Sequence, residues 1–198
     1  MAWMSFRWVA LGMVALVAAC AQPPVPQDRY YRIDVSAAAS GAPILIGVLE
    51  VERLAAEGLA SGRAVVYSEA DNPQLAQEYF YDFWIEPPSD MLRDELVDFL
   101  RASGAATAIV TPETRADADY VLTGRINRLE HVRGPKAKGV IDLELAVTHA
   151  RTGKLVMVNS YAVGVGASDG SVASGIAALN QGVAAIFERF LADLKASG

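Results

Sequence analysis

Few side chains in this sequence could carry out covalent or metal chemistry, and their spacing decides which. Ser168 stands in Gly166-Ala167-Ser168-Asp169-Gly170, the spelling of a nucleophile elbow, between a predicted strand and a predicted helix. An elbow serves a triad whose histidine follows the serine along the chain, and no histidine occurs after His149. A small-residue connection explains the same letters. Gly164 and Gly166 open a dinucleotide-like fingerprint, but the third glycine, Gly170, comes one residue late and no βαβ unit surrounds it. His131 and His149 end predicted strands with no partner four residues away and no cysteine nearby, the pattern of surface or edge histidines. Asp117 and Asp119 lack the glycine and glutamate that a calcium loop places at fixed offsets. The expectation is therefore no catalytic residue, no metal ligand and no cofactor.

The remaining candidate is Cys20, the only cysteine among 198 residues. One cysteine excludes an internal disulfide, and one cysteine with two histidines makes a structural zinc site implausible. Its position is informative. Residues 1 to 19 are hydrophobic except for Ser5, Arg7 and Gly12, and the uncharged run from Trp8 to Ala19 is too short for a spanning helix but suits the apolar region of a secretory signal. The run ends in Val17-Ala18-Ala19-Cys20, which resembles the cleavage site of a bacterial lipoprotein signal peptide, with valine in place of the commoner leucine. That resemblance implies removal of residues 1–19 and lipid attachment at Cys20, including palmitate. Two or more acyl chains hold a protein on a bilayer durably where one does not. Ala21, rather than aspartate, follows the cysteine, which in such lipoproteins implies the periplasmic face of the outer membrane of a Gram-negative bacterium. Residues 20–29 then read as a tether. Pro23, Pro24 and Pro26 favour polyproline II, whose rise of about 3.1 Å per residue would lift the domain by ~25 to 30 Å.

The elements that follow must form one domain over residues 30–198. The chain as a whole is 53% hydrophobic and 20% charged, with a net charge of −6, which suits a packed core and argues against nucleic-acid binding. Strands are expected at Tyr30 to Val35 and at Pro43 to Val51, the latter apolar on both faces and so placed centrally under two covering layers. Residues 52 to 60 read as one helical turn or an irregular loop. Arg63 to Ser68 and Gln77 to Ile85 are strands joined through Asp71-Asn72-Pro73. A helix follows, with Ser89 as N-cap, Asp90 at the positive end of the dipole and Gly104 as its close. Short strands at Thr107 to Thr111 and Tyr120 to Leu129 precede a regular hairpin. Ile141, Leu143, Leu145 and Val147 share one face of its first strand, Arg151-Thr152-Gly153-Lys154 turns, and Leu155 to Val165 returns. Val172, Ile176, Leu179, Val183, Ile186, Phe190 and Leu194 mark a long amphipathic helix over about 171–195. The sum is an α+β single domain: a mixed, largely antiparallel sheet covered by two helices, the longer one C-terminal.

Five aromatics crowd the strand between Tyr79 and Trp84. Strict alternation would put Tyr79, Tyr81 and Phe83 on one face and Phe80 and Trp84 on the other, so a second apolar layer must meet one set. Tyr79, Tyr81, Phe83 and Trp84 are the candidates for a partner or apolar-ligand surface.

Several segments together are similar to the auxiliary lipoproteins of ABC-type transport systems, including the Pqi-type intermembrane transport lipoproteins. They are Cys20, Tyr30-Tyr31-Arg32-Ile33, the apolar strand from Ile44 to Val51, and Val65-Val66-Tyr67. Also similar are the aromatic run with Glu86-Pro87 before a Leu-rich helix, and Ala118-Asp119-Tyr120-Val121-Leu122 with Gly124. Ile33 and Glu57-Gly58-Leu59 depart from the usual pattern. The resemblance implies a non-enzymatic component that works with an MCE-domain substrate-binding protein and an ABC permease and ATPase, moving lipid or another hydrophobic molecule between membranes. A homo-oligomer and a domain that itself carries acyl chains between sheet and helices are both compatible with it.

Overall fold

The structure is a computed structural model that describes residues 25–36 and 42–197; the signal segment, Cys20 and the first part of the tether lie outside these residues. One strand organises the sheet. β7 (Tyr120–Arg133) pairs along its whole length with β8 (Lys138–His149) in antiparallel fashion, and β8 pairs with β9 (Leu155–Gly166). The other edge of β7 is shared by three successive parallel strands. β2 (Leu45–Val51) meets Tyr120 to Leu122, β3 (Ala55–Ala56) meets Arg125 and Ile126, and β4 (Ala64–Glu69) meets Glu130 to Arg133. The sheet therefore forks. One arm adds β6 (Ala106–Val110) beside β2, and the other adds β5 (Asn72–Trp84) and then β1 (Arg29–Tyr31) beside β4. The long ladders are antiparallel and the parallel ones short.

Two helices cover this sheet. α1 (Pro88–Ser103) begins at a proline in the first turn and ends in a Schellman motif, with Gly104 at φ 63° and the Ala105 N–H donating to the Leu100 carbonyl at 3.0 Å. Ser89 is not its N-cap. Pro88 already fixes the helical φ, and Ser89 lies inside the helix, accepting a hydrogen bond from Arg53 Nε at 3.1 Å. α2 (Val172–Ser197) buries Ile176, Leu179, Val183, Ile186, Phe190 and Leu194 as its spacing predicts, together with Phe187. Each such side chain removed from water contributes roughly 1.5 to 3 kcal/mol. The stripe meets Ile141, Leu143 and Leu145 of β8, all fully buried, and Phe187 meets Phe99 of α1 with ring centroids 5.5 Å apart.

Three further expectations differ from the structure. β1 ends at Tyr31; Ile33 and Val35 still enter the core but in irregular backbone, where Glu95 accepts the Val35 N–H at 2.9 Å. β2 is central yet covered on one face only: Leu45, Leu49 and Val51 are buried while Ile46 is 78% exposed. An apolar run alone does not show that both faces are covered. Residues 52 to 60 contain β3 and a 3₁₀ turn at Gly58–Ser61, a strand too short to leave a periodic signal.

Candidate functional site

Where β5 leaves β4 and takes up β1, the register with β4 jumps from Val66 opposite Glu78 to Ala64 opposite Phe83. Three extra residues in β5 are absorbed there, so strict alternation fails across the aromatic run. Trp84 is 1% exposed and belongs to the core, not to a surface. Asp82 shares that buried side. Phe83 is half-buried, with its ring 5.9 Å from Tyr30, and Arg63 lies over Tyr30 at 5.6 Å. Phe80 and Tyr81 point to solvent, Phe80 at 87% exposure. The four candidates are thus divided: Tyr81 is on the surface, Phe83 and Tyr79 are half-buried, and Trp84 is inside. Phe80, assigned by alternation to the face of Trp84, is the most exposed large hydrophobic side chain of β5.

Tyr79 turns into a second cluster. Its hydroxyl lies 3.0 Å from His131 Nδ1, its ring is 4.4 Å from that of Tyr67, and the Arg133 guanidinium covers both tyrosines at 4.9 and 6.0 Å. Burial pushes the Tyr79 hydroxyl up to about 12. His131, expected at a surface or edge, has no exposed area. β7 runs on past Leu129, and Gly175 of α2 sits so close that a Cβ there would meet the imidazole at 2.6 Å. Burial first, and the Arg133 cation second, hold His131 below the ordinary histidine range, which favours the neutral imidazole. Its Nε2 has no partner among the described residues. The glycine in the first turn of α2 was the only sequence signal for this close approach.

Asp82 connects the tether to the domain. Its buried carboxylate accepts from Arg29 Nη2 at 2.8 Å and from the Tyr31 hydroxyl at 2.9 Å, and β1 is otherwise held by a three-residue parallel ladder to Asp82, Phe83 and Trp84. Ile85 N–H adds a bond to the Tyr31 carbonyl at 2.8 Å. Sequence reasoning missed this residue, since one aspartate inside an aromatic run gives no periodic signal. Any pull on the N-terminus enters the fold here, beside exposed Phe80, Tyr81, Tyr30 and Ile85.

The Gly166–Gly170 segment is a helix-capping loop. Ser171 Oγ accepts the Ser174 N–H at 3.2 Å, Ser174 Oγ accepts the Asp169 N–H at 3.1 Å, and Ser168 Oγ lies 2.8 Å from Ser174 Oγ. Ser168 therefore has a serine beside it and no base. His149 packs its ring 4.8 Å from Tyr120 near the β8–β9 turn. Among the described residues no group of three or more His, Cys, Asp or Glu side chains could hold a metal ion, and no helix is long and apolar enough to cross a membrane.

Comparison with known proteins bears on the whole domain. The family model described as an ABC-type transport auxiliary lipoprotein component matches residues 31–189. No curated protein matches the sequence. Among solved structures, protein XCC0632 from Xanthomonas campestris superposes with a TM-score of 0.75 at 21% identity, covering 86% of this chain and 96% of that one. An uncharacterised protein does so with a TM-score of 0.68 at 19% identity, over 85% and 99% of the two chains. A PelC dodecamer from Paraburkholderia phytofirmans gives 0.50 at 15% identity, over 82% and 94%. At these identities the likeness is one of fold.

Proposed function

The chain belongs to the ABC-type transport auxiliary lipoprotein family, and from that premise we propose that it is a non-enzymatic adaptor, anchored through lipidated Cys20 to the periplasmic face of the outer membrane. It docks there an MCE-domain substrate-binding protein, whose permease and ATPase drive lipid or another hydrophobic molecule between the membranes. An anchored domain raises the effective concentration of a conduit's end at its target bilayer without itself performing chemistry.

The observation that carries this reading is the root of the tether. Asp82 and the β1 ladder fix the N-terminus to β5, and the large apolar side chains left outside, Phe80 and Tyr81, sit on the same strand. Exposed aromatics on a rigid strand suit a partner interface. Two sheet edges support a homo-oligomer as part of the same assembly: β9, and β5 before Asp82, each pair on one side only among the described residues. PelC, which shares the fold, is a dodecamer.

A carrier holding acyl chains between the sheet and the helices is the second reading, and that space is filled. Leu122, Leu143, Leu179, Val183 and Phe187 are all fully buried in one continuous core. The adaptor reading is tested by co-purifying the MCE-domain protein with the full-length lipoprotein. The Phe80→Asp/Tyr81→Asp variant is expected to lose the partner while remaining folded and membrane-bound, whereas undiminished recovery would contradict the docking role.

A further inference from the structure

The face of the sheet away from α2 carries a groove of about 620 Å³, within the range of ligand pockets. The registers define its floor: Val132 of β7, Val140 of β8, and Ala162 and Gly164 of β9 all point away from the face on which Ile141 meets α2. The tip of the β4–β5 hairpin, at Pro73, forms a wall. Three cations line it, Arg128, Lys136 and Lys138, and the lining holds no carboxylate. Arg128 is paired with Glu130, whose buried carboxylate also accepts from Ser68 Oγ at 3.3 Å. Lys136 and Lys138 have no ion-pair partner among the described residues and are exposed at the rim. In a chain of net charge −6, a locally basic rim over an apolar floor runs against the overall balance.

We propose that this groove binds one acyl chain of an anionic phospholipid, with the chain on the Val132, Val140 and Ala162 floor and the phosphate beside Lys136 and Lys138. Apolar floor and paired ammonium groups answer the two halves of such a molecule, where a zwitterionic headgroup would leave the rim charge uncompensated. The proposal deepens the transport reading above, resting on it for the class of cargo and on the groove's own chemistry for the headgroup.

The test uses the full-length lipoprotein purified in maltoside detergent, offered lysophosphatidylglycerol or lysophosphatidylcholine of the same chain length, with bound lipid counted by native mass spectrometry. One lysophosphatidylglycerol per chain is expected, with lysophosphatidylcholine bound far more weakly. Lys136→Glu/Lys138→Glu should weaken the anionic lipid by about tenfold or more. Gly164→Phe should block it for a different reason. A Cβ at Gly164 meets only Lys138 Cδ at 3.8 Å and Val140 Cγ2 at 4.0 Å, so the new side chain enters the groove without displacing backbone. Glycerol 3-phosphate in excess should not displace the lipid. Equal binding of both headgroups, no binding at all, binding indifferent to these variants, or displacement by glycerol 3-phosphate would each overturn the proposal. Co-purification of the MCE-domain protein by the wild-type lipoprotein separates the two readings: if the partner is recovered while lysophosphatidylglycerol does not bind the same protein, only the groove's occupant is wrong.

Discussion

At the scale of the residue, Asp82 and His131 are two of the buried polar groups that the fold accepts at a cost, and each has a measurable consequence. Asp82 holds Arg29 and the Tyr31 hydroxyl, so Asp82→Ala should destabilise the domain by ~1 to 3 kcal/mol in denaturant unfolding. It should also open the N-terminal segment to protease before the core. His131 is kept neutral by burial and by Arg133, with Glu69 and Asp169 acting the other way. Its folded value lies below the unfolded one, so the stability it contributes is present above pH ~6.5 and declines as pH falls toward the folded value, because the unfolded chain takes up the proton first. The slope cannot exceed about 1.4 kcal/mol per pH unit for one group. Between pH 7.5 and 5.5 the wild type should therefore lose more stability than His131→Phe, and identical losses would refute this role. Neither residue was legible in the sequence as a structural group. Their environments are made by strands and a helix far apart in the chain, and hydrophobic patterning does not report a buried polar side chain.

The elements show which signals survive folding. The β8–β9 hairpin and α2 were legible because their periods are long and clean, and because Gly153, at φ 65°, turns the hairpin where Arg151 to Lys154 predicts it. The order of strands was not legible. Three short parallel ladders along one edge of β7 depend on tertiary contacts, and β3 is two residues long. In β5 the alternation that sequence reasoning relies on is broken by the register jump, which exchanged the places of Phe80 and Phe83. Packing at this scale turns on glycine. A Cβ at Gly139 would lie 2.6 Å from the Leu179 nitrogen and 2.9 Å from the Ala178 carbonyl carbon, both backbone of α2. Gly139→Ala must push the helix off the sheet and should cost ~1 to 3 kcal/mol in thermal or denaturant unfolding. Gly164→Ala, on the open face, should cost much less. Removing the cap of α2 by Ser171→Ala should cost ~0.5 to 2 kcal/mol, and Ser168→Ala less, since only Ser171 accepts a helix N–H in this loop.

The whole molecule, as proposed, is an arrangement: a lipid anchor at Cys20, a tether rooted on β5 by Asp82, and the exposed Phe80 and Tyr81 of that strand facing a partner. Cys20→Ser should abolish palmitate incorporation and move the protein out of the membrane fraction, and persistent fractionation with membranes would contradict a lipid anchor. The family and the α+β architecture could be read from the scattered motifs and the helix stripe. The groove on the helix-free face could not, since Arg128, Lys136, Lys138 and Ala162 converge only once β7, β8 and β9 are in register. The most direct measurement places a photo-reactive amino acid at position 80 in the native, lipidated protein and identifies what it captures in living cells. The MCE-domain protein is the expected capture, with no such capture from position 155 on the far β9 edge. Capture of that protein equally from both positions, or its absence from position 80 while the protein remains folded and anchored, would contradict it.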